Sequence, residues 1–291
     1  MVDVWSAERV LASAAVLGEG PVWDAGEHCL YWVDIERGEV HRFDPETGQD
    51  TLVITLDHQV GAVGLRAADG LVLAVREGFA TWVPGRDGID VIATPLGTRA
   101  DCRMNDGACD SAGRFWAGSM ALEEGVPRRG ALYRLEPDGS AVEVLAAVSL
   151  SNGIGWSPDG RAMYHIDTLA RTLTAYPFDE GTGSLGRPRV LIEFKLDDGF
   201  PDGIAVDAVG CIWVARWLGS RVCRYSPDGE LLGIVDVPTP LVTSCAFGGP
   251  TLEDLYITTA SRDLDPSPAG AGDLYLARTG VAGTPSHRFR G

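Results

Sequence analysis

The segment Phe200-Pro-Asp-Gly-Ile-Ala-Val-Asp-Ala-Val-Gly-Cys-Ile-Trp-Val-Ala215 places an Asp-Gly pair directly before a short apolar run. Asp-Gly is a favoured turn pair, and runs rich in Val, Ile and Trp favour strands. The segment therefore predicts a polar turn that leads into β-strands. Similar signals recur along the chain, as in Glu136-Pro-Asp-Gly139 and Ser157-Pro-Asp-Gly160, whereas helical periodicity is almost absent. We therefore predict an all-β protein built from antiparallel hairpins.

The apolar pairs that follow these turns recur at a regular interval. The second residues of the pairs are Tyr31, Leu73, Trp116, Tyr164, Trp213 and Tyr256, which are 42 to 49 residues apart. Six units of about 45 residues, each with room for four short strands, match the blades of a β-propeller. We predict a six-bladed β-propeller with four antiparallel strands per blade, in which residues 1–291 form a single domain. A β-sandwich, the alternative all-β fold, would not need this period.

The segment from Glu8 to Val16 precedes the first unit and has the apolar content of a strand. We expect it to complete the last blade, next to Asp273-Leu-Tyr-Leu276. Joining the two ends of the chain in one blade would remove exposed sheet edges. The N-terminal strand would thus close the propeller.

The composition argues against several classes of function. The net charge of −17 makes nucleic-acid binding unfavourable, because phosphate backbones are held by clustered Lys and Arg. Lys195 is the only lysine, so Schiff-base chemistry would depend on one residue. No basic segment precedes an apolar run at the N-terminus, and no window reaches the roughly 18 apolar residues of a membrane span. We expect a cytoplasmic protein that acts on neither membranes nor nucleic acids.

The six cysteines form no C-x-x-C pair and lie in segments predicted as strands or loops. This usage is typical of reduced thiols, partly packed in a core. Cys102 and Cys109 flank a predicted loop, so a disulfide between them under oxidising conditions is the alternative.

One position per unit lies eleven or twelve residues before the repeated apolar pair. These positions are Glu19, Gly61, Asn105, Asn152, Asp202 and Ser244. Equivalent positions in a propeller form a ring about the central axis, here at the start of each innermost strand, where the channel opens. Glu, Asn and Asp oxygens suit a hard divalent cation, and an adjacent glycine would allow a tight backbone turn beside it. The alternative is that Asx-Gly turns were copied with the repeat and serve no ligand.

Six motifs occur in order along the chain. They are Leu17-Gly-Glu-Gly-Pro-Val-Trp23, Arg103-Met-Asn-Asp-Gly107, Ser151-Asn-Gly153, Tyr164-His-Ile-Asp-Thr168, Pro201-Asp-Gly203 and Cys245-Ala-Phe-Gly-Gly249. Together, over roughly residues 15 to 285, they resemble the SMP-30/gluconolactonase (regucalcin-like) family of six-bladed propellers. The resemblance implies a metal-dependent hydrolase of sugar lactones, with a small aldonolactone such as glucono-, xylono-, arabinono- or galactonolactone as substrate.

The resemblance also implies roles for particular residues. The metal ligands would be Glu19, Asn152 and Asp202, and the substrate-contacting residues would be Arg103, Asn105 and Glu123, with Glu124 as the alternative to Glu123. The cofactor would be one divalent ion, with Ca²⁺, Zn²⁺, Mn²⁺, Mg²⁺ and Fe²⁺ as candidates, which would polarise the lactone carbonyl and acidify water. Asp202 would act as the general base on that water, and Arg103 would stabilise negative charge on the carbonyl oxygen.

Two other functions stay open at this point. The same metal site would serve an aryl esterase or organophosphatase if the lip of the channel were more apolar, and Trp217, Phe200 and Leu122 allow this. Alternatively, the propeller binds calcium or a protein partner without catalysis, because one fold hosts many functions. His165 lies on a predicted strand that would present either it or Asp167 toward the channel, and the favoured interpretation of His165 is structural.

Overall fold

The computed structural model describes residues 2–123, 125–265 and 267–291, and these residues form 27 β-strands and one short 3₁₀ helix, Leu196–Asp198. The chain begins with β1 (Asp3–Ser6) and β2 (Glu8–Leu11). Blade 1 contains β3 (Gly18–Asp24), β4 (Cys29–Asp34), β5 (Glu39–Asp44) and β6 (Gln49–Thr55). Blade 2 contains β7 (Val60–Arg66), β8 (Leu71–Val75), β9 (Gly78–Trp82) and β10 (Asp90–Ala93). Blade 3 contains β11 (Cys102–Cys109), β12 (Phe115–Ala121), β13 (Gly130–Leu135) and β14 (Ala141–Val148).

The second half of the chain repeats this pattern. Blade 4 contains β15 (Ser151–Trp156), β16 (Ala162–Asp167), β17 (Thr172–Asp179), β18 (Ser184–Leu185) and β19 (Arg189–Glu193). Blade 5 contains β20 (Phe200–Val206), β21 (Ile212–Trp217), β22 (Arg221–Tyr225) and β23 (Leu231–Asp236). Blade 6 contains β24 (Val242–Gly248), β25 (Asp254–Thr259) and β26 (Leu274–Arg278), and β27 (Arg288–Phe289) follows near the C-terminus.

The six sheets form a closed ring. Within each blade the strands pair antiparallel in chain order, except that β19 of blade 4 pairs with β17 and not with β18. The first strands of successive blades pack side by side around the axis. The ring closes where β24 of blade 6 contacts β3 of blade 1. All six repeated apolar positions lie in the second strand of a blade. The prediction of a six-bladed β-propeller is therefore confirmed.

The repeated apolar positions are explained by packing between blades. Six clusters of buried apolar side chains fill the six interfaces between neighbouring sheets. Trp116 contributes to the cluster between blades 3 and 4, Trp213 to that between blades 5 and 6, and Tyr256 to that between blades 6 and 1. A large side chain at this position therefore serves the same purpose in each of these blades, because each sheet must cover the face of the next.

The N-terminal strand closes the last blade as predicted. Strand β2 pairs antiparallel with β26, with Glu8 opposite Leu276 and Arg9 opposite Tyr275. The strand ends at Leu11 and does not continue to Val16. Beyond it, Ala14 has a positive φ of 48°, which turns the chain out of the sheet, and the Val16 amide donates to the Asp34 carboxylate.

Two short parallel strands were not predicted. Strand β1 pairs parallel with β23 at the outer edge of blade 5, and β27 pairs parallel with β7 on the channel side of blade 2. The C-terminal segment 280–291 also bonds to the loops between the first and second strands of blades 5, 6 and 3, through Ala282, Gly283 and Arg290. It therefore crosses one end of the channel. The first strands begin at the opposite end, which we call the channel mouth.

The Asp202-Gly203 pair does not form the predicted turn. It lies inside β20, where the register with β21 shifts between Pro201 and Ile204. Comparable shifts occur at or beside the ring position in the first strand of every blade. Such β-bulges insert a residue and redirect side chains. The glycine is needed for close approach between blades, since a Cβ at Gly203 would lie 2.1 Å from Ser244 Oγ.

The six cysteines are all buried and unpaired. Cys102 and Cys109 do not flank a loop but occupy the two ends of β11. A strand of this length holds its ends on the order of 20 Å apart, whereas a disulfide needs Cα atoms within about 7 Å. The two thiols therefore cannot pair in this fold. No helix in the described part of the chain has the length and apolar character that a membrane crossing requires.

Candidate metal and substrate site at the channel mouth

A cavity of about 260 Å³ opens at the channel mouth. Five of the residues predicted for the site lie in its wall and are buried: Glu19, Arg103, Asn105, Asn152 and Asp202. Glu123 also borders the cavity, on the exposed loop after β12. The alternative, Glu124, lies outside the described residues. The structure thus brings together residues that are up to 183 positions apart, from blades 1, 3, 4 and 5.

The predicted ring is only partly realised. Four of its six positions face this cavity, whereas Gly61 and Ser244 do not. A Cβ at Gly61 would lie 2.4 Å from the carbonyl oxygen of Asn105, so this position must lack a side chain. Ser244 instead borders a second cavity, of about 470 Å³, which lies between the ring and the C-terminal segment.

A directed chain of hydrogen bonds joins three blades beneath the cavity. Arg103 Nη1 donates to Asn105 Oδ1 at 2.7 Å, and Asn105 Nδ2 donates to Asn152 Oδ1 at 2.7 Å. Asn152 Nδ2 then donates to Thr168 Oγ1 at 2.8 Å, and this hydroxyl donates to the Pro201 carbonyl at 2.8 Å. The side chains in this series of hydrogen bonds are therefore held in fixed orientations before any ligand arrives.

Two carboxyl groups at the ring, Glu19 and Asp202, and a third beside it, Asp106, lie in an environment that disfavours their charge. Burial raises the pKa of Glu19 to about 8, with a further increase from Asp106 and opposing effects of the Gly20 amide and Arg103. Burial likewise raises the pKa of Asp202 well above its usual range, and the charges of Glu19 and Asp106 add to this while Arg103 opposes it. Burial raises the pKa of Asp106 to about 6. A positive charge in the channel-mouth cavity would stabilise the carboxylates of Glu19 and Asp202, which line it, whereas Asp106 borders the second cavity.

The donor set has the chemistry of a hard-cation site. Asp202 Oδ1 is buried and has no hydrogen-bond partner among the described residues, which is costly unless something else contacts it. Glu19 Oε2 accepts a hydrogen bond from the Gly20 amide at 3.0 Å. Within residues 2–123, 125–265 and 267–291, no group of three or more His, Cys, Asp or Glu is placed to hold a metal ion. The predicted set has only two such residues, because its third member is the amide of Asn152.

Several residues of the site were not identified from the sequence. Thr168 and Leu169 line the cavity after β16, and Arg262 lines it after β25. Thr168 ends one of the recognised motifs, which was the only available signal for it. Phe200 and Trp217, which allowed the esterase alternative, form an aromatic part of the wall, but Leu122 is not in the wall.

His165 has a structural environment, as interpreted from the sequence. It is buried in β16, outside the cavity wall, and its Nε2 lies 2.8 Å from Ser151 Oγ. Burial lowers its pKa to about 4, so the imidazole is neutral at pH 7.

The fold and the cavity define a six-bladed propeller with an oxygen-rich site at one end of its channel. The chain belongs to the SMP-30/Gluconolactonase/LRE-like family, because the sequence profile of that region matches residues 17–261. It is 40% identical to a pentonolactonase of Haloferax volcanii over 291 residues, which cover 97% of each chain. It is 37% identical to a 6-deoxy-6-sulfogluconolactonase of Pseudomonas putida, with 97% and 98% of the two chains covered.

A solved structure supports the same relationship. The calcium-binding protein regucalcin of Agrobacterium tumefaciens superimposes with a TM-score of 0.93 and 27% sequence identity, covering 100% of this chain and 99% of that one. The family resemblance predicted from the motifs is therefore confirmed.

Proposed function

We propose that this protein hydrolyses a small sugar lactone at the channel mouth, with one divalent cation held by Glu19, Asn152 and Asp202. The observation that carries the proposal is the buried Asp202 Oδ1, which has no hydrogen-bond partner in the described part of the chain and belongs to the wall of a cavity that Glu19 and Asn152 also line. The names of two relatives, a pentonolactonase and a 6-deoxy-6-sulfogluconolactonase, support lactones as the substrate class.

The need for a cation follows from the electrostatics of the ring. Burial raises the pKa of Glu19 and of Asp202, and the neighbouring Asp106 raises both further, so the ionised forms of these two carboxyl groups are disfavoured without a counter-charge. Carboxylate and amide oxygens suit Ca²⁺, Mg²⁺ or Mn²⁺, and carboxylates also bind Zn²⁺ and Fe²⁺. When bound, such an ion polarises the lactone carbonyl and makes a nearby water more acidic.

The residues of this chain would supply the proton transfer and the orientation. Asp202 would accept a proton from the attacking water, since a carboxylate in the cavity wall can reach a water that lies against the substrate. Arg103 would place a positive charge near the carbonyl oxygen as negative charge develops there. Its bonds to Asn105 Oδ1 and to the Met104 carbonyl hold the guanidinium in position in advance.

The cavity wall suits a small sugar lactone. Asn105 and Glu123 provide polar groups that can pair with hydroxyls, and Met120, Phe200 and Trp217 provide an apolar surface. A sugar ring presents both characters, with hydroxyls at its edge and C–H groups on its faces. The volume of about 260 Å³ is below the range typical of drug-sized ligands, which favours a compact substrate.

The test compares lactones with other esters. Hydrolysis of pentono- and hexonolactones would be followed by acid release at constant pH in the presence of each candidate cation, for the wild type, Asp202→Asn and Asp202→Ala. We expect lactone hydrolysis in the wild type and a loss of about 10²- to 10⁴-fold in both variants, which should keep the wild-type circular dichroism spectrum. Wild-type rates in Asp202→Asn would refute the role of Asp202, and no lactone hydrolysis with any cation would refute the function.

An arylesterase or organophosphatase is the second candidate. Phe200 and Trp217 favour it, because they give the cavity an aromatic wall. The same assay with phenyl acetate and an aryl phosphotriester separates the two functions. The lactonase proposal requires a higher kcat/KM on an aldonolactone than on either aryl substrate.

A further inference from the structure

We infer that Thr168 is a positioning residue, which makes Asn152 present its amide oxygen, and not its amide nitrogen, to the cation. The inference rests on the proposed function, because it concerns a ligand of the same site. Thr168 follows the last residue of β16 and is buried, and its hydroxyl contacts both Asn152 and the backbone of blade 5.

The series of hydrogen bonds that contains Asn152 runs from Arg103 to the Pro201 carbonyl, and its direction is set at both of these ends. The Pro201 carbonyl can only accept, so the single hydroxyl proton of Thr168 points to it and the Thr168 oxygen is left as an acceptor. The atom of Asn152 that faces Thr168 must therefore be a donor, which is Nδ2.

The other end imposes the same orientation. A guanidinium can only donate, so Arg103 Nη1 faces Asn105 Oδ1, and Asn105 Nδ2 is turned toward Asn152. The atom of Asn152 on that side must be an acceptor, which is Oδ1. A reversed Asn152 amide would place donor against donor and acceptor against acceptor between buried side chains.

Thr168 also connects two of the proposed ligands. The carbonyl that it binds belongs to Pro201, which directly precedes Asp202 in β20, while its other partner is Asn152 in β15. One hydroxyl thus fixes the orientation of a ligand in blade 4 and bonds to the backbone beside a ligand in blade 5. Groups that orient metal ligands in this way commonly change metal affinity by 10- to 100-fold.

The test measures cation affinity directly. Ca²⁺ and Mn²⁺ would be titrated calorimetrically into the metal-free wild type, Thr168→Val and Thr168→Ser. Valine keeps the shape without the hydroxyl, and serine keeps the hydroxyl. We expect the dissociation constant to rise 10- to 100-fold in Thr168→Val and to stay within about threefold of the wild type in Thr168→Ser. A merely structural loss would lower stability without changing the dissociation constant, so cation affinity is the readout that identifies a positioning role.

Thr259 provides a matched control. Its buried hydroxyl donates to the Asp273 carbonyl at 2.6 Å, so Thr259→Val also removes a buried threonine–carbonyl hydrogen bond. We expect Thr259→Val to lower thermal stability without weakening cation binding. Should Thr168→Val not fold, Thr168→Ala would replace it, with the same expected loss of affinity.

Each outcome decides the inference. Unchanged cation affinity in Thr168→Val, or an equal loss of affinity in Thr168→Ser, would overturn the role of Thr168. The proposal that the protein hydrolyses a lactone would not be affected by either result. If the wild type bound no divalent cation, the proposed metal site and the inference would both fall. A crystal structure of metal-free Thr168→Val supplies a second readout, because an Asn152 side chain that kept its place and partners would also contradict the inference.

Discussion

Gly203 and Ser244 meet where blades 5 and 6 adjoin, so closely that a Cβ at Gly203 would lie 2.1 Å from Ser244 Oγ and 2.5 Å from its Cβ. Gly203→Ala must therefore displace one strand. We expect the free energy of unfolding to fall by about 1–3 kcal/mol, as is usual for overpacking, measured by urea denaturation. Gly203→Ala combined with Ser244→Gly should recover most of the loss, because the two nearest atoms are removed. Wild-type stability of the single variant would contradict this packing.

The C-terminal segment should contribute substantially to stability. Phe289 in β27 is fully buried and packs in one cluster with Phe79 and Phe115, although it is only two residues from the end of the chain. Phe289→Ala should lower the free energy of unfolding by about 3–5 kcal/mol, and Phe289→Leu by less. Val190→Ala, at a position that is 48% exposed, serves as the control with little expected change. A loss below 1 kcal/mol for Phe289→Ala would show that the segment does not pack against the channel.

The loop after β12 should affect substrate binding more than turnover. Glu123 borders the cavity, so Glu123→Gln should raise KM for the lactone about tenfold through the loss of a charged hydrogen bond, with kcat nearly unchanged. Glu124→Gln is the matched control, which should leave both constants close to those of the wild type. The opposite pattern, with Glu124→Gln alone raising KM, would assign the contact to Glu124.

The buried imidazole of His165 predicts sensitivity to acid. Its pKa is about 4 in the folded chain, against 6.5 for an unperturbed histidine, so between these values the unfolded chain binds a proton that the folded chain does not. The contribution of the neutral His165 to the free energy of unfolding is complete above pH 6.5 and is lost as the pH falls. By pH 4 the free energy of unfolding is lower by roughly 3 kcal/mol from this group. His165→Gln should have a shallower fall in unfolding free energy between pH 6.5 and 4.5. Equal slopes for the two proteins would contradict this account.

The sequence predicted the propeller well because large apolar residues occupy the repeated positions. Trp116, Trp213 and Tyr256 recur at blade spacing because each fills an interface between sheets. Strands β1 and β27 carry no such signal. They are four and two residues long, and each pairs with a strand more than 200 positions away, so nothing local marks them.

The sequence predicted which positions along the chain come together at the cavity, but only part of the local structure and of the hydrogen bonding there. Spacing placed Glu19, Asn152 and Asp202 at equivalent positions because a β-bulge recurs in each first strand, and only the family resemblance singled them out as ligands. The Asp-Gly signal was misinterpreted as a turn. An Asp-Gly pair serves a turn and a crowded bulge equally well, and only the neighbouring blade distinguishes them. Thr168 was missed because its partners, Asn152 and Pro201, belong to two different blades.

The most direct test of the central claim is the rate of aldonolactone hydrolysis by the metal-free protein as a divalent cation is added back. We expect less than about one-hundredth of the saturated rate without the cation, because a single oxygen-rich site must supply the charge that polarises the carbonyl. The rate should then rise hyperbolically, with a midpoint equal to the calorimetric dissociation constant of the one site. A full rate in the metal-free protein, with no response to added cation, would contradict the account.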